Sequence, residues 1–289
     1  MVQAQVEGRV AVPPGVAVVG LGAMGAEVAG HLVAAGVPTT VVDLDPDAVA
    51  AIEARGAAAV ADPAAAAERA GVVIVVVATD DQVVDVLEGE AGVFRTAWPG
   101  TVVLLASSAL PRTCRVLADR APAGVDVLDA AMTGGLRGAE AGELTVLVGG
   151  DAAALAAAEP VLRPWTRAVH RLGDVGAGQV GKTVNNLVHW AQIVAVAQAL
   201  ELGRRLGGDV PALRRALQDG PVDSRTLREM HLMRFTWFEK DIANAEAMAE
   251  PVAGDLSMAL LAREVLRGFP IEAACALLEG RDPGLYSPR

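Results

Sequence analysis

The sequence predicts an α/β protein in which a doubly wound, largely parallel sheet is followed by an all-helical region. Short β-branched runs alternate with alanine-rich stretches over the first half of the chain, and strand-like runs stop after the one at Leu144. Hydrophobic residues make up 53% of the 289 positions and aromatic residues only 3%, which is typical of helices packed on a buried parallel sheet. At this length either two domains or one domain with a helical annex is expected.

The first half of the chain follows a βαβαβ pattern that then continues. The predicted strands begin at Val16, Thr39, Val72, Thr101, Val125 and Leu144. The predicted helices cover residues 24–35, 47–55, 81–87 and 112–120. The alanine-rich stretch 57–67 is interpreted as a further helix because alanine has the highest helix propensity.

After Gly178 the sequence shows helical periodicity only, with breaks at Gly207-Gly208, Gly220-Pro221 and Gly254. The first helix of this region, residues 179–206, is expected to be roughly 40 Å long at 1.5 Å of rise per residue. A helix of that length is expected to carry the chain from one domain into the next.

Charge and cysteine content exclude several classes of function. The net charge of −11 argues against a nucleic-acid surface, because phosphate binding needs clustered Lys and Arg. Cys114 and Cys275 lack metal-ligand spacing, so neither a disulfide framework nor a zinc site is predicted. The apolar run 71–78 is too short to cross a bilayer. We therefore expect a cytoplasmic protein without a membrane partner. Residues 1–14 are interpreted as a loose N-terminal extension ahead of the first domain.

A glycine-rich turn follows the first predicted strand and opens the first predicted helix. It comprises Gly20, Leu21, Gly22, Ala23, Met24 and Gly25. The first glycine permits a tight turn, the second lets the backbone approach a pyrophosphate, and the third allows close packing of helix on strand, as in Rossmann-type domains. Asp43, at the end of the second strand, can accept hydrogen bonds from adenosine ribose hydroxyls and repels a 2′-phosphate.

These features predict a Rossmann-type nucleotide-binding domain at 15–177, with NAD favoured over NADP as cofactor. The alternative is a glycine-rich turn in some other α/β fold, with Asp43 as an ordinary helix cap. The agreement of strand, glycines, helix, second strand and acid favours the nucleotide site.

Three further segments carry a family resemblance. The segment DAAMTGGLRGAEAGELTVLVGG, from Asp129, resembles the substrate-binding motif of the β-hydroxyacid dehydrogenase family, which includes 3-hydroxyisobutyrate dehydrogenases. GDVGAGQVGKTVNNLV, from Gly173, is similar to the catalytic helix of that family, and EKDIANAEAMA, from Glu239, to its later Lys-Asp motif. With the glycine turn, the resemblance covers nearly all of residues 15–278. It implies an NAD(P)-dependent oxidoreductase that transfers a hydride between nicotinamide and a small β-hydroxyacid or its semialdehyde.

The resemblance also implies roles for single residues. Lys182 is implied to be the catalytic general acid or base, assisted by Asn186. The residues implied to bind the substrate are Thr133, Gly134, Gly135 and Lys240. The residues implied to lie beside the nicotinamide are Ser107, Ser108 and Lys240.

The sequence supports Lys182 independently of the family. Lys182 and Asn186 are one helical turn apart and so project from one face, which His189 extends. A lysine withdrawn from water loses its proton more readily, and hydride transfer to or from an alcohol requires such a proton exchange. On spacing alone a surface lysine is an equal alternative. We interpret His189 as a pocket wall or a hydrogen-bonded core histidine.

Two positions carry open alternatives of their own. Asn186 can instead make a hydrogen bond that packs its helix, and Lys240 can be a solvated charge paired with Asp241. Thr133 also stands where the family usually has Ser, so the identity of the substrate stays open.

Two other functions are considered. Imine reductases share the architecture but usually carry Asp or Tyr at the position of Lys182. A non-catalytic NAD-binding module would need only the glycine turn and Asp43.

The helical region 178–289 is expected to be a substrate and dimerisation domain. Apolar residues spread around more than one face of its first helix, and a helix that is apolar on several sides must be covered on several sides. The resemblance likewise implies pairing through this region. We therefore expect a two-fold homodimer.

Overall fold

The computed structural model describes residues 13–284. The predicted extension at 1–14 lies outside the described residues except for its last two, Pro13 and Pro14. The described residues divide into two compact units, the first ending at Lys182 and the second beginning at Thr183. Within the described part of the chain, every helix is too short or too polar to span a bilayer.

One eight-stranded sheet forms the first unit. Its strands are β1 (Gly15–Val19), β2 (Thr39–Val42), β3 (Ala58–Ala59), β4 (Ala70–Val75), β5 (Val102–Leu105), β6 (Asp126–Thr133), β7 (Leu144–Gly149) and β8 (Thr166–Gly173). Their order across the sheet is β3-β2-β1-β4-β5-β6-β7-β8, and all neighbours are parallel except β6 and β7. The helices between them are α1 (Ala23–Ala34), α2 (Pro46–Glu53), α3 (Pro63–Ala67), α4 (Asp80–Glu88), α5 (Pro111–Arg120), α6 (Gly135–Glu140) and α7 (Ala152–Leu162).

Both faces of this sheet are covered by apolar side chains. Along β1, Val16 and Val18 belong to one buried cluster, whereas Ala17 and Val19 belong to the other. Helices α1 and α7 contribute to the first cluster, and α4 and α5 to the second. Because both faces are buried, the central strands are continuous apolar runs. The predicted doubly wound α/β fold class is confirmed.

The second unit is helical, as the sequence predicts. Helix α8 (Ala177–Arg205) enters it, and α9 (Val210–Gln218), α10 (Arg225–Glu229), α11 (Phe238–Ala249), α12 (Ser257–Arg267) and α13 (Ile271–Leu278) follow. Its core contains Trp190, Ile193 and Ile242 among other buried side chains. The Trp190 indole N–H donates to Asp241 Oδ2 at 3.0 Å, so this large aromatic side chain is buried without losing its hydrogen bond.

The prediction that strands stop after β7 is wrong, because β8 follows it. This strand lies at the edge of the sheet and pairs with β7. Its side chains are half-buried or exposed and include Arg167, His170 and Arg171. An edge strand is paired on one side only and needs fewer apolar residues, so the β-branched run that marks the central strands is missing.

The prediction of one helix over residues 57–67 is wrong in its first half. Ala58 and Ala59 form β3 and pair with β2 instead. The Asp62 side chain accepts the Ala65 N–H at 2.8 Å, and Pro63 occupies the first helical turn. This Asp-Pro pair starts the helix at residue 63, while strand pairing overrides the helix propensity of the preceding alanines.

Candidate functional site

The residues proposed from the sequence for the first unit follow the carboxyl ends of its strands. Gly20 follows β1, Asp43 follows β2, Ser107 follows β5, and Thr133 is the last residue of β6. These strands are mutually parallel, so their carboxyl ends lie at one edge of the sheet. In open α/β sheets, ligands bind outside this edge, where the strand order reverses. Here the reversal lies between β1 and β4.

The glycine turn has the geometry of a phosphate-binding loop. Gly20 adopts a φ of 97°, which side chains rarely permit, and its N–H donates to the Val42 carbonyl at 2.9 Å. A Cβ on Gly25 would overlap the Gly20 carbonyl oxygen, so glycine is required for this approach of helix to strand. Gly22 precedes α1, and no heavy atom of the described residues beyond its chain neighbours and nearby helix backbone lies within 4 Å of where its Cβ would be.

The start of α1 is suited to an anion. Within residues 13–284 no side chain caps this helix, so the N–H groups of its first turn have no side-chain acceptor there. The positive end of the helix dipole adds to these donors. The open backbone at Gly22 and the uncapped turn together fit the pyrophosphate of a dinucleotide.

Asp43 is tied to the same turn. Its Oδ2 accepts the Leu21 N–H at 2.5 Å and its Oδ1 accepts the Asp45 N–H at 2.8 Å. The side chain is half-buried, and each carboxylate oxygen retains a further lone pair. The carboxylate can therefore accept ribose hydroxyls while its orientation is fixed by the backbone.

The two serines after β5 have different partners. Ser107 is buried, and its Oγ accepts the Val77 N–H at 2.8 Å and donates to the Val75 carbonyl at 3.3 Å. Ser107 thus joins the ends of β4 and β5. Ser108 is half-buried, and its Oγ accepts a hydrogen bond from Lys182 Nζ at 2.5 Å.

Lys182 lies in the second turn of α8 and is half-buried. Its hydrogen bond to Ser108 shows that the amine reaches the turn at the end of β5. Lys182 and Lys240 are the only two lysines of the sequence, since the other 22 of its 24 basic residues are arginine.

Thr133, Gly134 and Gly135 join β6 to α6. Thr133 is half-buried and lies opposite Thr145 of β7. Gly135 is exposed, and apart from its chain neighbours and the backbone of its own helix no heavy atom in the described part of the chain lies within 4 Å of where its Cβ would be, so its backbone is accessible to a ligand.

Two buried residues near Lys182 have partners that sequence reasoning missed. Asp129 in β6 is fully buried, and its two oxygens accept the N–H groups of Gly176 at 2.5 Å and Gln179 at 2.8 Å. Gln179 Nε2 donates to the Ser107 carbonyl at 2.8 Å. Burial raises the pKa of Asp129, and the backbone N–H groups oppose that rise. An acid inside an apolar strand was the available signal.

The remaining predicted residues lie in the second unit. Asn186 is half-buried on α8, and its Oδ1 accepts the Asn185 Nδ2–H at 3.0 Å. Lys240 is exposed on α11. His189 Nδ1 is 2.9 Å from Thr226 Oγ1, and burial lowers the His189 pKa to about 4. His189 is therefore a neutral, hydrogen-bonded histidine at neutral pH.

The fold and the glycine turn define a dinucleotide-binding α/β protein with a helical C-terminal unit. Residues 15–173 match the family model described as the NAD-binding domain of 6-phosphogluconate dehydrogenase. Residues 176–276 match the model described as NAD-binding of NADP-dependent 3-hydroxyisobutyrate dehydrogenase. The chain belongs to the β-hydroxyacid dehydrogenase family, and the predicted family and NAD(P) cofactor class are confirmed.

Individual relatives agree with this assignment. The chain is similar to 2-(hydroxymethyl)glutarate dehydrogenase of Eubacterium barkeri, with 35% identity over 65% of this chain and 63% of the relative. It is also similar to 3-hydroxyisobutyrate dehydrogenase of Pseudomonas aeruginosa, with 35% identity over 68% of this chain and 67% of the relative. The match spans 63% of the length of the E. barkeri enzyme and 60% of the length of a relative described as probable mitochondrial 3-hydroxyisobutyrate dehydrogenase of Dictyostelium discoideum, less than two thirds of each.

A solved structure extends the similarity over nearly the whole chain. Mycobacterium tuberculosis 3-hydroxyisobutyrate dehydrogenase, determined with L-serine, has a TM-score of 0.80 and 26% identity. The superposition covers 94% of this chain and 97% of that one.

Proposed function

We propose that the chain is an NAD-dependent dehydrogenase that transfers a hydride between nicotinamide and a small β-hydroxyacid or its semialdehyde. Lys182 is its general acid or base. The observation that carries this proposal is the half-buried Lys182 amine, whose Nζ lies 2.5 Å from Ser108 Oγ where β5 ends. Dehydrogenases of hydroxyacids among the relatives support the same reaction class.

The basic residues of the chain support a proton-transfer role for Lys182. Arginine serves the surface ion pairs, such as Arg267 with Glu239 and Arg228 with Asp223. Arginine is not deprotonated in proteins, whereas a lysine amine withdrawn from water can be. In a chain with two lysines and 22 arginines, a half-buried lysine is most simply explained by a need for a removable proton.

The glycine turn and Asp43 support NAD as the cofactor. The turn offers backbone N–H groups to the pyrophosphate, and Asp43 offers a carboxylate to the adenosine ribose. A 2′-phosphate would meet that carboxylate, and no arginine lies between Leu44 and Glu53 to compensate. When bound there, NAD would supply a hydride acceptor at nicotinamide C4.

In the oxidation direction, the neutral Lys182 amine takes the hydroxyl proton of the substrate as the carbinol carbon gives up its hydride. The products would be a carbonyl compound, a protonated Lys182 and NADH, which carries the hydride. In the reverse direction the ammonium returns the proton to the oxygen. A positioned acid or base of this kind contributes typically about 10² to 10⁴-fold to the rate.

Substrate binding is assigned to residues that do not transfer the proton. Thr133, Gly134 and Gly135 hold the substrate carboxylate, which the open backbone at Gly135 favours. Asn186 orients the substrate one helical turn from Lys182, and Lys240 contributes binding charge. L-Serine, present in the related M. tuberculosis structure, and 3-hydroxyisobutyrate both combine a carboxylate with a β-hydroxyl, so they are the first substrates to test.

We also propose that the chain forms a homodimer through its helical region. Several apolar side chains of α8 and of the residue that follows it are more than half exposed in the single chain: Val184, Val188 and Leu202 on the helix, and Leu206 directly after it. Such a face is stabilised when a second copy covers it.

The experiment that tests the activity is a substrate panel of β-hydroxyacids, semialdehydes and cyclic imines, followed at the nicotinamide absorbance with NAD(H) and NADP(H). Lys182→Ala should lose about 10² to 10⁴-fold in kcat. Lys182→Arg keeps the charge but cannot release a proton, so it should be as slow. NADH binding by fluorescence titration should stay within about twofold of wild type in both variants.

Each outcome has a definite meaning. A kcat for Lys182→Ala near that of wild type contradicts the proton-transfer role. Turnover of cyclic imines alone contradicts the hydroxyacid assignment. NADH binding without turnover of any compound favours a non-catalytic module.

A further inference from the structure

Asp129 is a buried carboxylate that the proposed reaction does not use. It lies in β6 beside Ala130 and Ala131, and all three residues are fully buried. Burying a carboxylate is costly unless its oxygens are hydrogen-bonded. The Asp129 oxygens accept two backbone N–H groups from the chain segment around residues 176–179.

That segment is the start of α8, the helix that carries Lys182. The first N–H groups of a helix have no intrahelical acceptor. A carboxylate at this end accepts hydrogen bonds from them and interacts favourably with the positive end of the helix dipole. A Cβ on Gly178 would lie 2.8 Å from Asp129 Oδ2 and would overlap the Leu147 carbonyl oxygen. The helix start therefore packs directly on the strand that carries Asp129.

Gln179 continues the connection. Its backbone N–H donates to Asp129, and its buried side chain donates through Nε2 to the Ser107 carbonyl at 2.8 Å. Ser108, which follows Ser107 in the chain, accepts a hydrogen bond from the Lys182 amine at 2.5 Å. These hydrogen bonds link β6, the first turn of α8 and the turn after β5.

We propose that Asp129, together with Gln179, is a positioning residue for Lys182. The buried carboxylate fixes the first turn of α8, and Gln179 fixes the turn after β5 against it. The Lys182 amine is thereby held at Ser108. The effect on turnover rests on the proposed proton transfer by Lys182, whereas the anchoring of the helix start does not.

The substitution that tests this is Asp129→Asn, which keeps the shape of the side chain. One acceptor oxygen becomes an N–H donor that faces a backbone N–H, so one of the two anchoring bonds is lost. Asp126→Asn is the matched control, because Asp126 lies on the same strand but is exposed. Gln179→Met removes the side-chain hydrogen bond to the Ser107 carbonyl instead. It keeps the proposal testable if Asp129→Asn does not fold.

Two measurements are made on each variant. The first is amide hydrogen exchange of the peptide that spans residues 174–182. The second is kcat and KM, with kcat expressed per NADH-binding site so that a smaller folded fraction does not imitate a slower enzyme.

For Asp129→Asn and Gln179→Met we expect exchange in this peptide to accelerate at least about tenfold, because the helix start opens locally. We expect kcat per site to fall at least about tenfold with KM and NADH affinity within about twofold, because misplacement of a reacting group by about 1 Å costs up to about a hundredfold. Asp126→Asn should match wild type in both.

Unchanged exchange in Asp129→Asn overturns the anchoring. Faster exchange with an unchanged kcat per site overturns the positioning role and leaves Asp129 as a stabilising core residue. Failure of the proposed function is a separate result, since it appears as an active Lys182→Ala enzyme whatever the exchange of residues 174–182.

Discussion

Replacing Asp43 with asparagine should reduce the preference for NAD over NADP. Asp43 Oδ2 and Oδ1 accept the Leu21 and Asp45 N–H groups, so the side chain is already oriented when the cofactor binds. Hydrogen bonds to a charged acceptor contribute about 1.5 to 3 kcal/mol and those to a neutral one about 0.5 to 1.5 kcal/mol. For two ribose hydroxyls the difference is about 2 to 3 kcal/mol, which corresponds to a 30- to 150-fold weaker NADH affinity, at about 1.4 kcal/mol per tenfold change.

NADPH should respond in the opposite direction. Loss of the carboxylate removes its repulsion of the 2′-phosphate, so the dissociation constant of NADPH should fall while that of NADH rises. Asp45→Asn is the control, because Asp45 caps α2 by accepting the Asp47 N–H at 3.0 Å and asparagine caps helices equally well. Fluorescence titration gives both constants. An unchanged ratio in Asp43→Asn, with unaltered thermal unfolding, would refute the ribose assignment.

Three further predictions concern assembly and stability. Light scattering at micromolar concentration should find a species of twice the 29.5 kDa chain mass. The double variant Val184→Glu, Val188→Glu should have the mass of a single chain. A wild-type species of 29.5 kDa would contradict the dimer. Ile193→Ala should lower the free energy of unfolding by about 2 to 5 kcal/mol, against little change for exposed Val252→Ala, and equal urea midpoints would argue against this core. Burial lowers the pKa of His189 to about 4, whereas a histidine in the unfolded chain has a pKa of about 6.5. Between these two pH values the unfolded chain binds a proton that the folded chain does not, so the free energy of unfolding decreases as the pH falls from about 6.5 to about 4. His189→Gln should flatten that decline in urea unfolding, and coincident pH curves would contradict it.

The nucleotide half of the fold was predictable because its determinants are local. Strand β1, the glycine turn and α1 follow one another within Gly15–Ala34, and each glycine has a conformational or packing reason that the sequence pattern carries. Central strands buried on both faces are also conspicuous as apolar runs. The edge strand β8 and the two-residue strand β3 lack such runs, because the first is half exposed and the second is too short to show one.

The surroundings of Lys182 were not predictable in the same way. A motif identifies Lys182 as a residue, but not its surroundings. The Lys182 amine donates to a serine 74 positions away, and the start of its helix is held by an aspartate 50 positions from Gln179. Several of these contacts use backbone N–H and C=O groups, which leave no trace in residue type. Only the tertiary fold brings them together, so a sequence pattern can mark Asp129 as an acid within an apolar strand but cannot show which groups it binds.

The two serines after β5 illustrate the consequence for assigning roles. Ser107 and Ser108 are adjacent and chemically identical, and the family resemblance implies a place beside the nicotinamide for both. Their hydrogen-bond partners differ, because the Ser107 hydroxyl already bonds to the backbone of Val75 and Val77, whereas the Ser108 hydroxyl bonds to the Lys182 amine.

Ser107→Ala should therefore act mainly on stability, by disconnecting the ends of β4 and β5, at a cost of about 1 to 3 kcal/mol for the unsatisfied N–H. Ser108→Ala should act mainly on kcat, because it removes the hydrogen bond between the Ser108 hydroxyl and the Lys182 amine. Thermal unfolding and kcat measured on both variants decide this, and a Ser108→Ala enzyme with wild-type kcat would show that the serine does not help to place the amine.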